Sequence, residues 1–443
     1  MKKTDFAAPL GHRRVLTSPW RGHSGWPAID GLNVTMIVLA TIYATVIVAE
    51  VFSGRLFHTV GDDFRAYWSA AEIAHSSGLA QAFELDRLAR AEAEFLRTYG
   101  APEMMSEDEP WPPPYLVPVP YLPAFVAMFQ PLLFLDPRIG FLAWTLVNAI
   151  TLVAYLMWFL RSTAPGTSQR FLISIALCFP VLDTLRWGQV NVLLMIFLAE
   201  FLRCCIRGAD LRSGLWLGAL LLKPQTLLLL LPGLVLARRW RTLCGFAVTG
   251  SGVIGLSLAA GGLDALISNV RLVLLYPTDI TSTGPGMMAN WRAAGFHLAN
   301  LLPSQVVWPL AMLGMIGTAA LGIGLWWGKG RESPTGIALV VLGSYAATCA
   351  VAWHSVMNMA LPLAAPIAYL AAQKVLPTRI VALWLLAPYA MLAARLVDLH
   401  LYGLVLFAAN LCLLAWAVWT YRWHTEDAGV SSRVPLSAAR VLP

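Results

Sequence analysis

Long apolar runs recur along the chain from about Asn33 to Thr420, and they restrict its fold more than any other feature of the sequence. About 20 consecutive apolar residues are enough for one helical crossing of a bilayer. Backbone N–H and C=O groups find no partner in lipid outside their own segment, so runs of this kind are helices. We therefore predict an all-α fold, a polytopic transmembrane helical bundle with about 11 to 13 spans.

Composition supports the same class. Of the 443 residues, 58% are hydrophobic and only 12% are charged, which excludes a soluble domain with an ordinary charged surface. One crossing between residues 114 and 203 stays unresolved. The uninterrupted runs predict spans near residues 33–52, 122–135, 139–160, 243–260, 306–327, 336–352, 357–372, 380–397 and 401–421.

Two further apolar portions are broken by polar residues. The first, residues 171–203, contains Gln189 and Asn191, and the second, residues 214–240, is divided by Lys223. Polar residues inside lipid-compatible sequence are costly, so both breaks are candidate functional sites. The structural alternative for the second break is a proline kink whose lysine snorkels to the membrane interface.

The charges are distributed unevenly along the chain. The net charge is +7, yet residues 53–114 hold 11 acidic and 5 basic residues. Ten of the 31 basic residues lie in short loops, which the positive-inside rule places in the cytoplasm, and this distribution argues against nucleic acid as a partner. The loop residues in question are Arg203, Arg207, Arg212, Arg238, Arg239, Arg241, Lys329, Arg331, Lys374 and Arg379.

This bias orients the predicted domain in the membrane. We expect a cytoplasmic N-terminal tail at residues 1–32 that is retained, because no short apolar core and cleavage site follow its basic start. The transmembrane domain covers residues 33–420, and a cytoplasmic C-terminal tail covers residues 421–443. Residues 53–114 and 261–303 are then two long extracytoplasmic loops.

Both outer loops carry local sequence patterns. Apolar residues at helical spacing in the first loop, among them Leu88 and Phe95, predict one or two helices along the membrane surface. This loop ends in EDEPWPPPYLVPVPYLP, whose prolines favour extended backbone. The second loop is rich in Gly, Pro, Thr and Ser, which predicts irregular backbone with a short helix near residues 290–301.

The first outer loop also contains the strongest candidate for a site. Residues 61–71, GDDFRAYWSAA, place two adjacent carboxylates, an arginine and two aromatic residues just after the first apolar run. This combination suits chemistry on a phosphate-bearing lipid, in which a cation holds the phosphate and a carboxylate takes a proton. The alternative is a solvated loop after a helix.

Metal and cofactor motifs are missing from the sequence. The six cysteines lie in or beside apolar runs without metal-ligand spacing, so we predict neither a disulfide nor zinc. The adjacent pair Asp62 and Asp63 is a poor metal site because neighbouring residues rarely both face one ion. No glycine-rich phosphate cradle or nucleotide motif is present. We expect a protein that needs no metal and no cofactor.

Four stretches, in this order and spacing, resemble glycosyltransferase family 87, also known as DUF2029. They are DFRAYWSAA, WPPPYLVPVPYLPAFVAMFQPL, RWGQVNVLLMIFLAEF and GLWLGALLLKPQTLLLLLPGLVLARRWR. The resemblance covers about residues 61–240 and is looser beyond, where NWRAAGFHL and AWHSVMNMALPLAAP match outer segments of the family. It implies a multi-pass inner-membrane enzyme that moves a sugar, by resemblance mannose, from a polyprenyl-phosphate donor to a lipid or glycan acceptor on the extracytoplasmic side, with inversion.

The resemblance also implies roles for individual residues. Asp63 matches the aspartate of the family's DF pair and is the expected catalytic base, with Asp62 as the second choice. Residues that could hold the donor phosphate are Arg65, Lys223, Arg292, His297 and His354. Residues that could stack on sugar rings are Tyr67, Trp68, Trp111 and Trp291. Gln189 and Asn191 could bind sugar hydroxyls or simply join helices, and both histidines could be structural.

Two other classes of function fit parts of the sequence. A lipid or glycan transporter or flippase would explain the broken helices and buried polar residues. Against it stand the two long, patterned outer loops and the absence of a detectable internal repeat. A surface polysaccharide polymerase or ligase would share the lipid-linked donor and the outer site.

Overall fold

The computed structural model describes residues 31–52, 60–100, 116–164, 169–279, 284–328, 332–394 and 402–431. Every regular element within these ranges is a helix. Trp111, most of both tails and the ends of the first outer loop lie outside the described residues. The predicted all-α class is therefore confirmed for the described part of the chain.

The α-helices are α1 Gly31–Phe52, α2 Asp62–Ser77, α3 Leu85–Tyr99, α4 Pro123–Phe129, α5 Pro137–Thr163, α6 Gln169–Ala176, α7 Phe179–Trp187, α8 Asn191–Ile206, α9 Asp210–Ala219, α10 Leu230–Leu236, α11 Trp240–Asp279, α12 Trp291–Leu298, α13 Ser304–Gly324, α14 Pro334–Val351, α15 Ala364–Ala372, α16 Thr378–Ala394 and α17 Tyr402–Ser431. Short 3-10 helices are Leu79–Phe83, Gln130–Phe134, Leu220–Leu222, Pro224–Leu227, Pro285–Met287 and Met357–Leu363.

Five helices in the described ranges are long and apolar enough to cross a membrane: Pro137–Thr163, Trp240–Leu274, Ser304–Gly324, Pro334–Val351 and Gly403–Arg422. Shorter apolar helices are Asn33–Ala49, Pro123–Phe134, Pro224–Leu236, Met357–Ala372 and Thr378–Tyr389. The membrane class is supported, whereas the count of 11 to 13 spans is not confirmed. Several apolar runs divide into short helices because glycine, proline or a polar residue interrupts them.

One of the divided runs is a hairpin. Its first arm, α9, lies beside the start of α11, with Ser213 Oγ 3.2 Å from Thr242 Oγ1. Its second arm, α10, returns to Arg239, whose Nη1 lies 3.4 Å from Asp210 Oδ1 at the beginning of the first arm. Lys223, with φ −136° and ψ 82°, lies at the tip between two 3-10 turns. The segment therefore returns to the end of the molecule from which it starts.

The predicted loops are only partly correct. A short helix, α12, lies where one was predicted near residues 290–301, and α3 lies in the patterned part of the first predicted outer loop. Helix α2 begins earlier, at Asp62, and that these helices lie along the membrane surface stays a prediction. The irregular backbone predicted from Gly261 is wrong as far as Asp279, because α11 continues through this stretch with a single kink at Gly262. Glycine adopts the positive φ of 68° there without steric cost, and the apolar residues beyond it resume the helix.

Helix α11 shows which parts of the molecule lie at opposite ends. It begins beside Arg238 and Arg239, and about 22 residues later, a rise of about 33 Å, Gly261 packs against Leu79. A rise of that size matches the hydrocarbon thickness of a bilayer. The arginine-rich loops and the layer formed by α2 and α3 thus lie at opposite ends of a membrane-length helix.

Two apolar cores hold the described helices together. The larger surrounds α14, which is buried along nearly its whole length, and includes α8, α15 and α17. The smaller joins α2 and α3 to α4 and residues 116–120, which precede α4. Apolar side chains of α5, such as Leu142 and Leu146, are exposed and form a face suited to lipid.

Candidate active site

The site lies where the first turn of α2 meets the turn between α7 and α8. A Cβ on Gly61 would lie 2.6 Å from the carbonyl oxygen of Arg186, and one on Gly188 would lie 2.6 Å from Phe64 Cβ. Gly188 also has a φ of 74°, which favours glycine. Both glycines therefore permit a backbone approach that brings Asp63, half-buried, beside Gln189.

The side-chain amide of Gln189 joins three residues. It donates a hydrogen bond to the Asp63 carboxylate. Its Oε1 accepts a hydrogen bond from Tyr67 Oη at 2.9 Å and lies 3.5 Å from Lys223 Nζ. Asp63 and Lys223 are thus held on opposite sides of one buried amide, with Tyr67 beside them.

Lys223 carries a positive charge into the interior. Its side chain is 2% exposed, and its Nζ lies 3.4 Å from Asn191 Oδ1 and 5.9 Å from the centre of the Tyr121 ring. No ion pair among the described residues involves it. A buried ammonium with neutral oxygen partners at long distance is well suited to an anionic ligand.

Further polar residues continue from Asn191. Its Nδ2 donates to Asn358 Oδ1 at 2.7 Å. The Asn358 side chain and backbone N–H both donate to the carboxylate of Asp183, which also accepts from Trp187 Nε1 at 2.9 Å. Asp183, Asn191 and Asn358 are all buried. The result is a continuous polar cluster from Asp63 to Asp183 with Lys223 near its middle.

Burial changes the acid–base properties of Asp63. It raises the pKa of Asp63 to about 7, although the hydrogen bond from Gln189 and the charge of Lys223 oppose this rise. Asp63 therefore titrates near neutral pH, as a proton acceptor in catalysis should.

His354 and Arg292 lie on the side of Lys223 that faces α12. Burial, together with the charges of Lys223 and Arg292, lowers the pKa of His354 well below its usual range, so its imidazole is neutral at pH 7. The Arg292 guanidinium stacks 4.7 Å from the centre of the Trp353 ring. Asn290 Nδ2 donates to the Ala352 carbonyl at 2.8 Å and thereby ties α12 to the end of α14.

Several other candidates are engaged elsewhere. Arg65 Nη1 lies 2.6 Å from Asp62 Oδ1, and its Nε lies 3.2 Å from the buried carboxylate of Glu92. His297 Nε2 lies 3.2 Å from the Gly286 carbonyl oxygen. Trp291 Nε1 donates to Thr318 at 2.9 Å.

These contacts indicate that Arg65, His297 and Trp291 hold neighbouring elements together. The aromatic candidate Trp68 likewise packs against Phe64 in the smaller core. The structure thus gathers Asp63, Tyr67, Gln189, Asn191, Lys223, Arg292 and His354 around one cluster, and places Asp62, Arg65, His297, Trp68 and Trp291 in contacts outside it.

The sequence analysis missed Asp183, Asn358 and Tyr121. Asp183 is the lone carboxylate in the apolar stretch FPVLDTL, and a charged residue in such a stretch is a functional candidate by default. Asn358 and Tyr121 carried no comparable signal, because they enter the cluster only through folding. Groups of three or more His, Cys, Asp and Glu residues that could hold a metal ion are absent from the described ranges.

Comparison with known proteins gives one match. The family model of glycosyltransferase family 87 matches residues 120–352. No curated protein and no solved structure matches the chain. The matched range includes Gln189, Asn191 and Lys223, whereas Asp63 precedes it.

Proposed function

The chain belongs to glycosyltransferase family 87 and is thus a membrane glycosyltransferase, and from this premise we propose which reaction it catalyses. It transfers a sugar from a polyprenyl-phosphate donor to a hydroxyl group of a lipid or glycan acceptor, with inversion at the anomeric carbon. Mannose is the proposed sugar, on the resemblance given above. The proposed location is the inner membrane, with the site open to the extracytoplasmic side.

The observation that carries this proposal is the pairing of half-buried Asp63 with buried Lys223 across one side-chain amide. A single amide, that of Gln189, contacts both residues, so a proton acceptor and a cation are held on its two sides, one side chain apart. Transfer from a sugar phosphate needs these two functions, because the attacking hydroxyl loses a proton while the departing phosphate gains charge.

The proposed reaction proceeds in one displacement. The Asp63 carboxylate takes the proton of the acceptor hydroxyl as its oxygen attacks the anomeric carbon. The bond between the anomeric carbon and the phosphate oxygen breaks, and its electron pair leaves with the polyprenyl phosphate. The Lys223 ammonium stabilises the charge that develops on this phosphate. The products are the glycosylated acceptor, protonated Asp63 and the free polyprenyl phosphate.

The neighbouring residues have supporting roles in this proposal. Neutral His354 donates one N–H to the phosphate, and Arg292 adds positive charge from α12. Tyr67 donates a hydrogen bond to Gln189, which lies between base and lysine, and the proposed role of both residues is to bind sugar hydroxyls. The polyprenyl chain lies along the apolar faces of the surrounding helices, because a long hydrocarbon is disfavoured in water.

The deciding experiment follows a labelled sugar. Purified protein in liposomes receives polyprenyl-phosphate mannose labelled in the sugar, together with a lipid extract as the source of acceptor, without ATP or nucleotide sugar. We expect the label to move from the polyprenyl phosphate to a new product, and Asp63→Asn protein to give only background. Nucleotide-linked mannose as the sole donor should give no product.

A transporter is the alternative that the two broken helices favour. The same liposomes distinguish it, because a transporter moves the intact labelled lipid to the other leaflet and forms no new product. That outcome would replace the proposed transfer reaction.

Metal dependence is tested in the same assay. Lys223 already supplies positive charge at the proposed phosphate position. We expect full activity after chelation with EDTA, and a strict requirement for magnesium or manganese would contradict this assignment.

A further inference from the structure

Asp183 is a buried carboxylate of the cluster that the proposed reaction does not use. It lies on α7, is 6% exposed, and accepts hydrogen bonds from Trp187 and from the side chain and backbone of Asn358. A buried charge of this kind is retained only where several donors compensate its loss of water. Its position suggests a function within the cluster.

The hydrogen bonds that Asp183 accepts fix the direction of two amides. An ionised carboxylate only accepts hydrogen bonds, so Asn358 has to turn its NH2 group towards Asp183. The Asn358 carbonyl oxygen then faces Asn191, whose Nδ2 donates to it at 2.7 Å. The Asn191 carbonyl oxygen is left facing Lys223 Nζ, at 3.4 Å.

The opposite side of Lys223 has the same arrangement. Asp63 accepts from the NH2 group of Gln189, which leaves the Gln189 carbonyl oxygen 3.5 Å from Lys223 Nζ. Each carboxylate therefore directs one amide oxygen at the ammonium, Asp63 through one amide and Asp183 through two. Both oxygens are needed, because the carboxylates themselves make no direct ion pair with Lys223 among the described contacts.

We propose that Asp183 is a positioning residue for Lys223. By orienting Asn358 and Asn191, it holds the ammonium where the phosphate of the lipid donor binds. That the anion is a polyprenyl phosphate rests on the proposed function, whereas the orientation of the amides follows from the hydrogen bonds alone.

A neutral residue at this position should reverse the amides. In Asp183→Asn, the carbonyl oxygen of the new amide is needed by Trp187 Nε1 and the Asn358 backbone N–H, so its NH2 group faces the Asn358 side chain. Asn358 then turns its carbonyl oxygen towards that group. Asn191 reverses in turn and presents an NH2 group to Lys223, which needs an acceptor.

Exchanging the two residues should restore the original direction. In the double variant Asp183→Asn with Asn358→Asp, one carboxylate oxygen at position 358 accepts from the new asparagine. The other accepts from Asn191, whose carbonyl oxygen again faces Lys223. A residue needed only for folding gives no reason for such a rescue.

The experiment measures saturable binding of polyprenyl phosphate to purified, folded protein in detergent, alongside the Michaelis constant for the labelled donor. We expect Asp183→Asn to lower the affinity for polyprenyl phosphate and to raise the Michaelis constant, each by at least about tenfold. The reason is that the reversed Asn191 directs a buried NH2 group at Lys223. The double variant should return to within about threefold of the wild type. The control is Asp210→Asn, which removes a carboxylate from the opposite end of the hairpin and should change neither value.

The results separate this inference from the proposed function. Unchanged binding in Asp183→Asn, or a double variant as weak as the single one, would overturn the positioning role even if the wild type transfers sugar. The expected order of affinities without any sugar transfer would support the positioning role and contradict the proposed reaction. A wild type that neither binds polyprenyl phosphate nor transfers sugar would contradict both.

Discussion

Lys223 and Asp63 differ in the protein groups that replace the water each side chain loses on burial. Lys223 is 2% exposed and has amide oxygens as partners, whereas Asp63 is half-buried and accepts from Gln189. A direct ion pair between them would lower the pKa of Asp63 and occupy the lysine. Because the Gln189 amide lies between them, the pKa of Asp63 stays near neutral, and the Lys223 ammonium remains able to bind an anion.

Replacing Asp63 by asparagine removes the proton acceptor and keeps the size of the side chain. We predict that sugar transfer per folded molecule falls by about 10² or more, while the affinity for polyprenyl phosphate is retained. Asp62→Asn is the matched control, since Asp62 pairs with Arg65 at the surface of α2 and should affect turnover less. Near-normal turnover of Asp63→Asn would remove the assignment of the base.

The pH dependence of the reaction tests the same residue. Burial raises the pKa of Asp63 to about 7, so the carboxylate is mostly protonated and inactive as a base below this pH. We predict that kcat/KM rises with pH and levels off above about 7.

A second variant connects this profile to the cluster. The charge of Lys223 lowers the pKa of Asp63, so Lys223→Met should move the inflection to higher pH as well as lowering the rate. A profile that is flat between pH 5 and 9, or an inflection unmoved in Lys223→Met, would argue against this coupling.

Among the elements, the turn between α7 and α8 approaches the first turn of α2, which carries Asp63, at the level of the backbone. Gly188 combines a positive φ with the backbone approach to Phe64, the residue after Asp63. Gly208 has a similar φ of 68°, but a Cβ there would meet nothing within 4 Å. Substitution of Gly208 therefore tests backbone strain alone, whereas substitution of Gly188 tests backbone strain together with the contact to Phe64.

We predict that Gly188→Ala lowers both the unfolding temperature in detergent and the transfer activity. The alanine adds the cost of a left-handed backbone, about 1–2 kcal/mol, to a collision with Phe64 that displaces α2. Gly208→Ala should show the first cost alone and keep its activity. Equal effects of both substitutions on activity would mean that the turn does not position Asp63.

A second group of contacts supports α2 from its other side. Arg65 pairs with the buried carboxylate of Glu92 on α3, and Glu92 also accepts from the backbone N–H of Val117 at 3.2 Å. This carboxylate thus joins α2, α3 and the segment that leads to Tyr121. Arg65, a candidate phosphate ligand from the sequence, instead helps to hold α2, the helix that carries Asp63, in place.

At the scale of the whole molecule, helix α11 separates the layer of α2 and α3 from the arginine-rich loops. Since these lie at opposite ends of a membrane-length helix, we expect from the positive-inside rule that the layer of α2 and α3, with the proposed site, faces outside. We predict that single cysteines at Ser77 and Asn300, in protein lacking the six native cysteines, react with an impermeant thiol reagent on intact cells. All three tested positions, including Arg207 below, are exposed.

The opposite end provides the control. A single cysteine at Arg207 should react only after the membrane is permeabilised. Labelling of the cysteines at both Arg207 and Ser77 in intact cells would contradict the orientation. Protection of the cysteine at Asn300 alone would mean that α12 does not lie on the same side of the membrane as α2.

The sequence by itself determined the class of the protein and most of the chemistry available to it. Apolar runs specify membrane helices because apolar side chains favour transfer into lipid, where the backbone then has to pair within its own segment. The resemblance to glycosyltransferase family 87 is confirmed by the family match. Polar residues in apolar sequence marked Gln189, Asn191 and Lys223, and these lie together.

Only the tertiary structure decided which of these residues share a site and which path the chain takes between them. Residues 210–236 have the composition of a span, but the contact between Arg239 and Asp210 makes them a hairpin, and composition is the same for both. Tyr67 and Gln189 meet across 122 residues of sequence, and Asn191 and Asn358 across 167. Distances of this kind depend on how whole helices pack, so no local pattern encodes them.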